Sequence, residues 1–301
     1  MADLDDITAA VQLLNAHPDY RVLERLPDPK DWNLPSPEGP RRRGLFVDVE
    51  TTGLDIEVDE VIEIAILPFE YDLRSGGITA IFFDEALDEL RDPGMPIPPA
   101  SLEIHGIAEE MVAGKVVDED RLTSLVKGAD LVISHNAAFD RPMVERPWKV
   151  FEQVPWACSL ADVDWRGEGF PGGALEFLLL RMGWFYDGHR ALNDCIAAAF
   201  ALTRELPASG RTAMAALLDS ARRELSLLRA TDSPFEAKDL LRNRGYRWDP
   251  GTPERPKSWW TLTGSPDEEI VWLRSEVYGY DVHLPLKNVD ARTRFSKRLW
   301  E

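Results

Sequence analysis

The sequence predicts an α/β protein, a sheet with helices packed against it, followed by a small α+β unit. Three observations carry this expectation. Residues 45–49, 61–69 and 78–83 are strand-like apolar runs in close succession, the last two joined by the turn Ser75-Gly76-Gly77. A short apolar run at 131–134 then lies between helical stretches, so strands and helices alternate as a layered fold requires. Residues 191–205 are alanine-rich and apolar on several faces, the pattern of a helix buried against a sheet.

The remaining elements follow in order. Residues 5–16 have the apolar spacing of a short amphipathic helix (Ile7, Val11, Leu14), and 20–26 read as a short strand or turn. Residues 28–40 are proline-rich and extended, ending at Arg41-Arg42-Arg43. Residues 92–99 form a proline-rich loop, and 100–112 hold two short helices. Helices are expected at 118–127, stopped by Gly128, from 139 to 146, at 174–182 and at 212–229, with a fifth strand at 157–163. After the break Thr231-Asp232-Ser233-Pro234 come a helix at 235–244, aromatic strands at 246–248 and 259–262, and a helix at 266–278. The expected organisation is an extension (1–43), a catalytic-sized domain (44–206), a helical linker (207–233) and an accessory unit (234–301).

Composition excludes some classes. Hydrophobic residues at 44% and charged residues at 29% describe a soluble globular chain, and no apolar run reaches the roughly 20 residues that span a bilayer. The acidic start, Met1 to Asp6, is unlike an export signal, so a cytoplasmic protein without membrane association is expected. Cys158 and Cys195 lie in apolar stretches without metal-ligand spacing, as small core residues of a reducing compartment do. The net charge of −19 argues against simple polyanion binding, but it is uneven: from Pro234 on, 12 Lys and Arg outnumber 11 Asp and Glu. Divalent cations in an acidic site would also let it accept a polyanion locally.

Three short motifs carry chemistry. Asp48 and Glu50 sit two apart at the end of a hydrophobic strand, so both carboxylates point to one face, at a cost unless a cation lies between them. A solvated strand end is the competing reading. Asp140, in His135-Asn136-Ala137-Ala138-Phe139-Asp140, falls in the first turn of a helix, where the dipole alone could account for it. Asp194, in His189-Arg190-Ala191-Leu192-Asn193-Asp194, enters an apolar helix and needs a partner there. His189 lies on the loop just before; a lone loop histidine is usually a surface residue.

Together these motifs resemble the DEDD superfamily of 3′→5′ exonucleases, in the branch whose third motif carries histidine. The matching stretches are Phe46 through Leu54, His135 through Asp140, His189 through Asp194, and Ile104-His105-Gly106-Ile107 between the first two. The resemblance covers residues 44–205, and the C-terminal unit is similar to one that follows some exonuclease X-like enzymes. It implies an RNase H-like fold, a mixed five-stranded sheet with an antiparallel second strand. It implies two divalent cations, Mg²⁺ or Mn²⁺, on Asp48, Glu50, Asp140 and Asp194, a chemistry that hard cations and oxygen ligands suit. His189 would be the general base toward the attacking water. Thr51, Thr52, Gly53 and Leu54 would hold the 3′-terminal nucleotide, the leucine as a wedge, with His105, Asn136 and Phe139 lining the same cleft. Helix capping for Asn136 and core packing for Phe139 are the alternative readings.

The expected partner is the 3′ end of a nucleic acid, DNA favoured over RNA, in repair or proofreading with replication or repair proteins. Two rivals stay open: an RNA-trimming enzyme, which differs only in contacts to the 2′-OH, and a catalytically silent nucleic-acid-binding module, which would bind without hydrolysis. The aromatic and basic residues of the C-terminal unit suit base stacking and phosphate contact; a compact aromatic core with solvated arginines is the competing reading.

Overall fold

The computed structural model describes residues 4–300, which form two compact units, one up to Ala221 and one from Arg222 on. In the first, helix α1 (Leu4–Asn15) and the short strand β1 (Glu24–Arg25) precede β2 (Arg41–Thr51), β3 (Val61–Asp72), β4 (Ile78–Ile81) and β5 (Leu87–Leu90). Then come α2 (Pro99–His105), α3 (Glu109–Val112), α4 (Glu119–Lys127), β6 (Leu131–Ser134), α5 (Ala137–Glu145), β7 (Trp156–Cys158), α6 (Leu175–Met182), β8 (Trp184–Phe185), α7 (Ala191–Thr203) and α8 (Ala213–Ala221). The sheet runs β4-β3-β2-β6-β7, with β5 pairing the far end of β3 as a sixth strand. Strand β3 is antiparallel to β2, β4 and β5, whereas β2, β6 and β7 are mutually parallel. This is the mixed sheet with an antiparallel second strand that the sequence led us to expect.

Sequence explains the arrangement. Strand β3 reads Val-Ile-Glu-Ile-Ala-Ile-Leu from its start and is buried on both faces, as a β-branched run between helical layers should be. In β2, Gly44 pairs with Phe69, and a Cβ there would stand 2.3 Å from the phenyl ring; glycine lets that ring cross the strand. Helix α7 lies over β2 and β3. Its buried Ala191, Ala197, Ala198, Ala199 and Ala201 keep side-chain bulk off the interface, so backbone and sheet approach closely.

The second unit contains β9 (Leu225–Thr231), α9 (Lys238–Asn243), β10 (Arg247–Asp249), β11 (Ser258–Thr263), α10 (Pro266–Trp272) and β12 (Leu286–Val289). Its antiparallel sheet has the order β10-β11-β9-β12, so the small α+β unit is as expected. Leu228, Ala230, Leu241, Tyr246, Trp259 and Leu273 form its core.

Some expected elements differ. The helix expected over 212–229 ends at Ala221, and β9, a central strand of the second sheet, occupies its last third. Strand β9 is largely buried on both faces, so its leucines show no two-residue alternation to distinguish it from a helix. The fifth strand, expected at 157–163, stops at Cys158 because the Asp162 carboxylate accepts the Cys158 amide at 2.7 Å and closes a turn. Strands β5 and β12 were not anticipated. No helix among the described residues is long and apolar enough to cross a membrane.

Candidate active site

The sheet geometry builds the site at one end of β2. Parallel pairing of β2 with β6 ends at Phe46–Ile133, and Ser134 closes it by donating its hydroxyl to the Val47 carbonyl at 2.6 Å. Beyond that point β2 runs on with a neighbour on one side only, and it bears Asp48 and Glu50. The register with β3 then shifts between Glu50 and Thr51, a bulge that turns the strand end. Strand β6 meanwhile leads straight into α5, whose first turn carries Asp140. Carboxyl ends of adjacent parallel strands are where open α/β sheets place ligands.

Asp48, Glu50 and Asp194 each offer a carboxylate oxygen, and these oxygens lie within 4.8 Å of one another. Asp140, buried, does not join that group, but its charge raises the pKa of Asp48 and of Glu50. Burial and then Asp140, Asp194, Glu50 and Glu63 push the Asp48 carboxyl well above its usual range. Glu50 is pushed up to about 8 by burial, then by Asp194, Glu63 and Asp140. Asp140 is pushed up to about 8 by burial, against the amides of Asp140 itself, Val49 and Asn136. Asp194 is also raised by burial, against the Tyr186 hydroxyl, the Arg190 amide and the charge of His189. The four acids gathered from distant segments therefore resist ionising together, the electrostatic condition a bound cation relieves. The donor set is oxygen only, which fits a hard divalent cation.

Two residues that the motifs did not identify support this set. Glu63 faces Glu50 across the β2–β3 pair and is 1% exposed. It accepts from Arg190 Nε and Nη2, at 3.0 and 2.6 Å to Oε1, and from the Ala191 amide at 2.9 Å. A lone glutamate inside an apolar strand is the signal that could have found it, because such a charge is tolerated only with a partner. Tyr186 donates its hydroxyl to Asp194 Oδ1 at 2.7 Å, while the Arg190 amide donates to Oδ2 at 3.1 Å. No local pattern marks Tyr186; its loop brings it back onto α7.

His189 sits on that loop, exposed, with φ +61°, a left-handed conformation uncommon for a residue with a side chain. Its charge is felt by both Asp194 and His105. His105 is 6% exposed; Nδ1 accepts the Ile107 amide at 3.0 Å, so a neutral ring carries its proton on Nε2, which has no hydrogen-bond partner. Burial, with Arg190 and His189, lowers its pKa, against Glu63 and the Thr51 backbone, so the ring is neutral near pH 7.

The turn after the acids is held from behind. Asp59 accepts from the Thr52 hydroxyl at 2.9 Å and from the Asp55 amide at 2.8 Å, and a Cβ on Gly53 would stand 2.5 Å from its carboxylate. Within the turn Thr52 is fully buried, its amide donates to Glu60, and its carbonyl accepts from Ser101. Its polar groups face inward and shape the turn. Leu54 is 86% exposed, a large apolar side chain standing in solvent beside the acids. Asn136 caps α5 without a side-chain bond, so capping does not explain its amide, and Phe139 is half-buried. His135 faces away, with Nδ1 2.9 Å from Ser159 Oγ and Nε2 2.8 Å from the Gly173 carbonyl.

Residues 45–202 match the exonuclease family of the RNase T type. The chain belongs to this exonuclease family. Among its relatives, the DNA polymerase III subunit epsilon-like protein of Rhodobacter capsulatus is 34% identical over 208 residues, 64% of this chain and 28% of that protein. The DNA polymerase III subunit epsilon of Aquifex aeolicus is 28% identical over 52% of this chain and 76% of its own. The chain thus spans little more than a quarter of the first relative's length. A solved structure of exonuclease X in complex with 5′-overhanging duplex DNA superimposes with a TM-score of 0.42 and 26% identity, covering 59% of this chain and 99% of that one. Asp48, Glu50, Asp140 and Asp194 all fall within the matched segment, from β2 to α7.

Proposed function

We propose that the chain is a 3′→5′ exonuclease that releases nucleoside 5′-monophosphates from single-stranded or frayed DNA ends with two divalent cations, Mg²⁺ or Mn²⁺. The observation that carries this reading is the convergence of Asp48, Glu50 and Asp194 within 4.8 Å, with Asp140 coupled to them and His189 beside Asp194. DNA is favoured over RNA because the relatives are DNA polymerase III subunits.

Asp48, Glu50, Asp140 and Asp194 would hold the cations, which when bound supply an acidified water and charge neutralisation on the scissile phosphate. The chain's own residues do the rest. His189, exposed next to Asp194, accepts the proton of the attacking water. The water oxygen bonds to phosphorus while the bond to the preceding nucleotide's O3′ breaks, and that oxygen takes a proton from solvent, leaving a 3′-OH on the strand and a 5′-phosphate on the released nucleotide. His105 holds a neutral Nε2–H inside the site, a donor for a sugar hydroxyl of the terminal nucleotide. Thr51, Gly53 and Leu54 present backbone and an apolar wedge to its base, and Asn136 and Phe139 line the other wall.

The test is digestion of matched 5′-labelled DNA and RNA strands with Mg²⁺, by the native chain and by Asp194→Asn. Stepwise shortening by one nucleotide, abolished in the variant and by EDTA, is expected on DNA. Wild-type turnover by Asp194→Asn would overturn the site; faster loss of RNA would transfer the reading to an exoribonuclease; binding without shortening would leave a silent module.

A further inference from the structure

We propose that the C-terminal unit carries a second, non-catalytic binding site for single-stranded nucleic acid, in the cleft where Trp248 stacks a base and Lys257 meets a phosphate. The proposal deepens the exonuclease reading by giving the substrate strand a second point of attachment. The core of this unit uses Tyr246 and Trp259, but Trp248 on the edge strand β10 exposes 51% of its surface. Burying an indole is worth a few kcal/mol, so an exposed one on an ordered strand is a cost that core packing does not explain. Its orientation is fixed in advance: the ring meets buried Trp259 edge-to-face at 5.6 Å, and strand pairing of Trp248 with Trp259 holds the backbone. A preset aromatic surface loses little entropy when a base lands on it.

Trp248 lines a cleft of about 680 Å³ whose charged members are Asp232, Arg255 and Lys257, alongside three prolines, Pro250, Pro253 and Pro256. That volume suits a nucleotide-sized ligand. Arg255 is committed to Asp249 at 2.8 Å, whereas Lys257 is exposed and pairs with no carboxylate among the described residues. Arg247, the strand neighbour of Trp248, points to the opposite face of the sheet, its guanidinium 5.6 Å from the Trp260 ring centre, and lies outside this cleft. Lys257 stands out because the chain as a whole carries −19 while the segment from Pro234 is slightly positive. An aromatic plane with an unpaired lysine in the same cleft matches a base and its neighbouring phosphate in an unpaired strand.

The test is fluorescence anisotropy of a labelled oligothymidylate with the full chain in EDTA, where turnover is suppressed. Trp248→Ala and Lys257→Glu should each weaken binding, about tenfold for the indole, and Trp248→Phe should restore most of the loss. Lys257→Glu should also flatten the salt dependence. Release of mononucleotides from a trinucleotide at saturating concentration, where strand affinity no longer limits turnover, should be unchanged in all three variants. Wild-type affinity in both Trp248→Ala and Lys257→Glu, or a loss that Trp248→Phe does not restore, overturns the proposal. Capture of a proline-rich peptide by the cleft with no effect on the strand overturns it too. Absence of nucleotide release with binding intact would instead count against the exonuclease reading alone.

Discussion

Arg190 grips Glu63 through Nε and Nη2, at 3.0 and 2.6 Å, from the position directly after His189. The pair ties the loop before α7 to the start of β3, and the Ala191 amide adds a third bond to the same carboxylate. Its two ends differ: the glutamate side chain is 2% exposed and that of the arginine 44%. Removing Arg190 strands a buried carboxylate, whereas removing Glu63 leaves a guanidinium that can still reach water. Arg190→Ala should therefore cost about 3 kcal/mol and Glu63→Gln about 1 kcal/mol, read as the shift in urea unfolding. Equal losses, or a larger one in Glu63→Gln, would contradict this account of the pair.

Tyr186 offers a second test, because its hydroxyl is one of two donors that hold the Asp194 carboxylate. Partners that orient a metal-binding carboxylate typically contribute 10- to 100-fold in affinity. Tyr186→Phe keeps the ring and its packing, so the fold should survive while Mn²⁺ affinity, measured by calorimetry, falls roughly tenfold. An unchanged affinity would show that the Arg190 amide alone suffices.

Much of this was legible in the sequence. Asp48, Glu50, Asp140 and Asp194 could be brought together on paper by their resemblance to the exonuclease motifs, since each motif alone leaves a structural reading open. The supporting residues were not, since their effect depends on register. Glu63 matters because β3 pairs it with Glu50 across the strands, and Tyr186 because its loop folds back on α7. Thr52 reads like its neighbour Thr51 in sequence, yet only the structure shows its side chain turned inward to Asp59. Strand β9 reads as helix in the sequence because leucines buried on both faces give neither period.

Gly53 yields the third prediction. A methyl group there would stand 2.5 Å from the Asp59 carboxylate, which also anchors the Thr52 hydroxyl and the Asp55 amide. Gly53→Ala must displace that carboxylate and loosen the turn bearing Thr51 and Leu54. The KM for DNA strands should rise about tenfold and stability should fall by about 1–2 kcal/mol, while Mn²⁺ affinity is unchanged. A loss confined to kcat would place the turn's contribution in the chemistry and not in holding the strand.

The acids themselves set the pH dependence of the metal-free protein. Glu50 and Asp140 are pushed up to about 8, and Asp48 and Asp194 are raised, whereas in the unfolded chain all four titrate near 4. Between those limits the folded state holds more protons than the unfolded one, so stability falls as pH rises from about 4 to about 8 and levels off above. Asp48→Asn removes one charge from the group without changing its shape. In EDTA the variant should therefore melt higher than the native chain at about pH 8, with the gap shrinking toward about pH 5. Adding Mn²⁺ at the higher pH should raise the melting temperature of the native chain more than that of the variant, reversing or closing the gap. A metal-free variant that melts lower than the native chain at both pH values would mean that the acids do not strain one another, and the case for their sharing cations would fall with it.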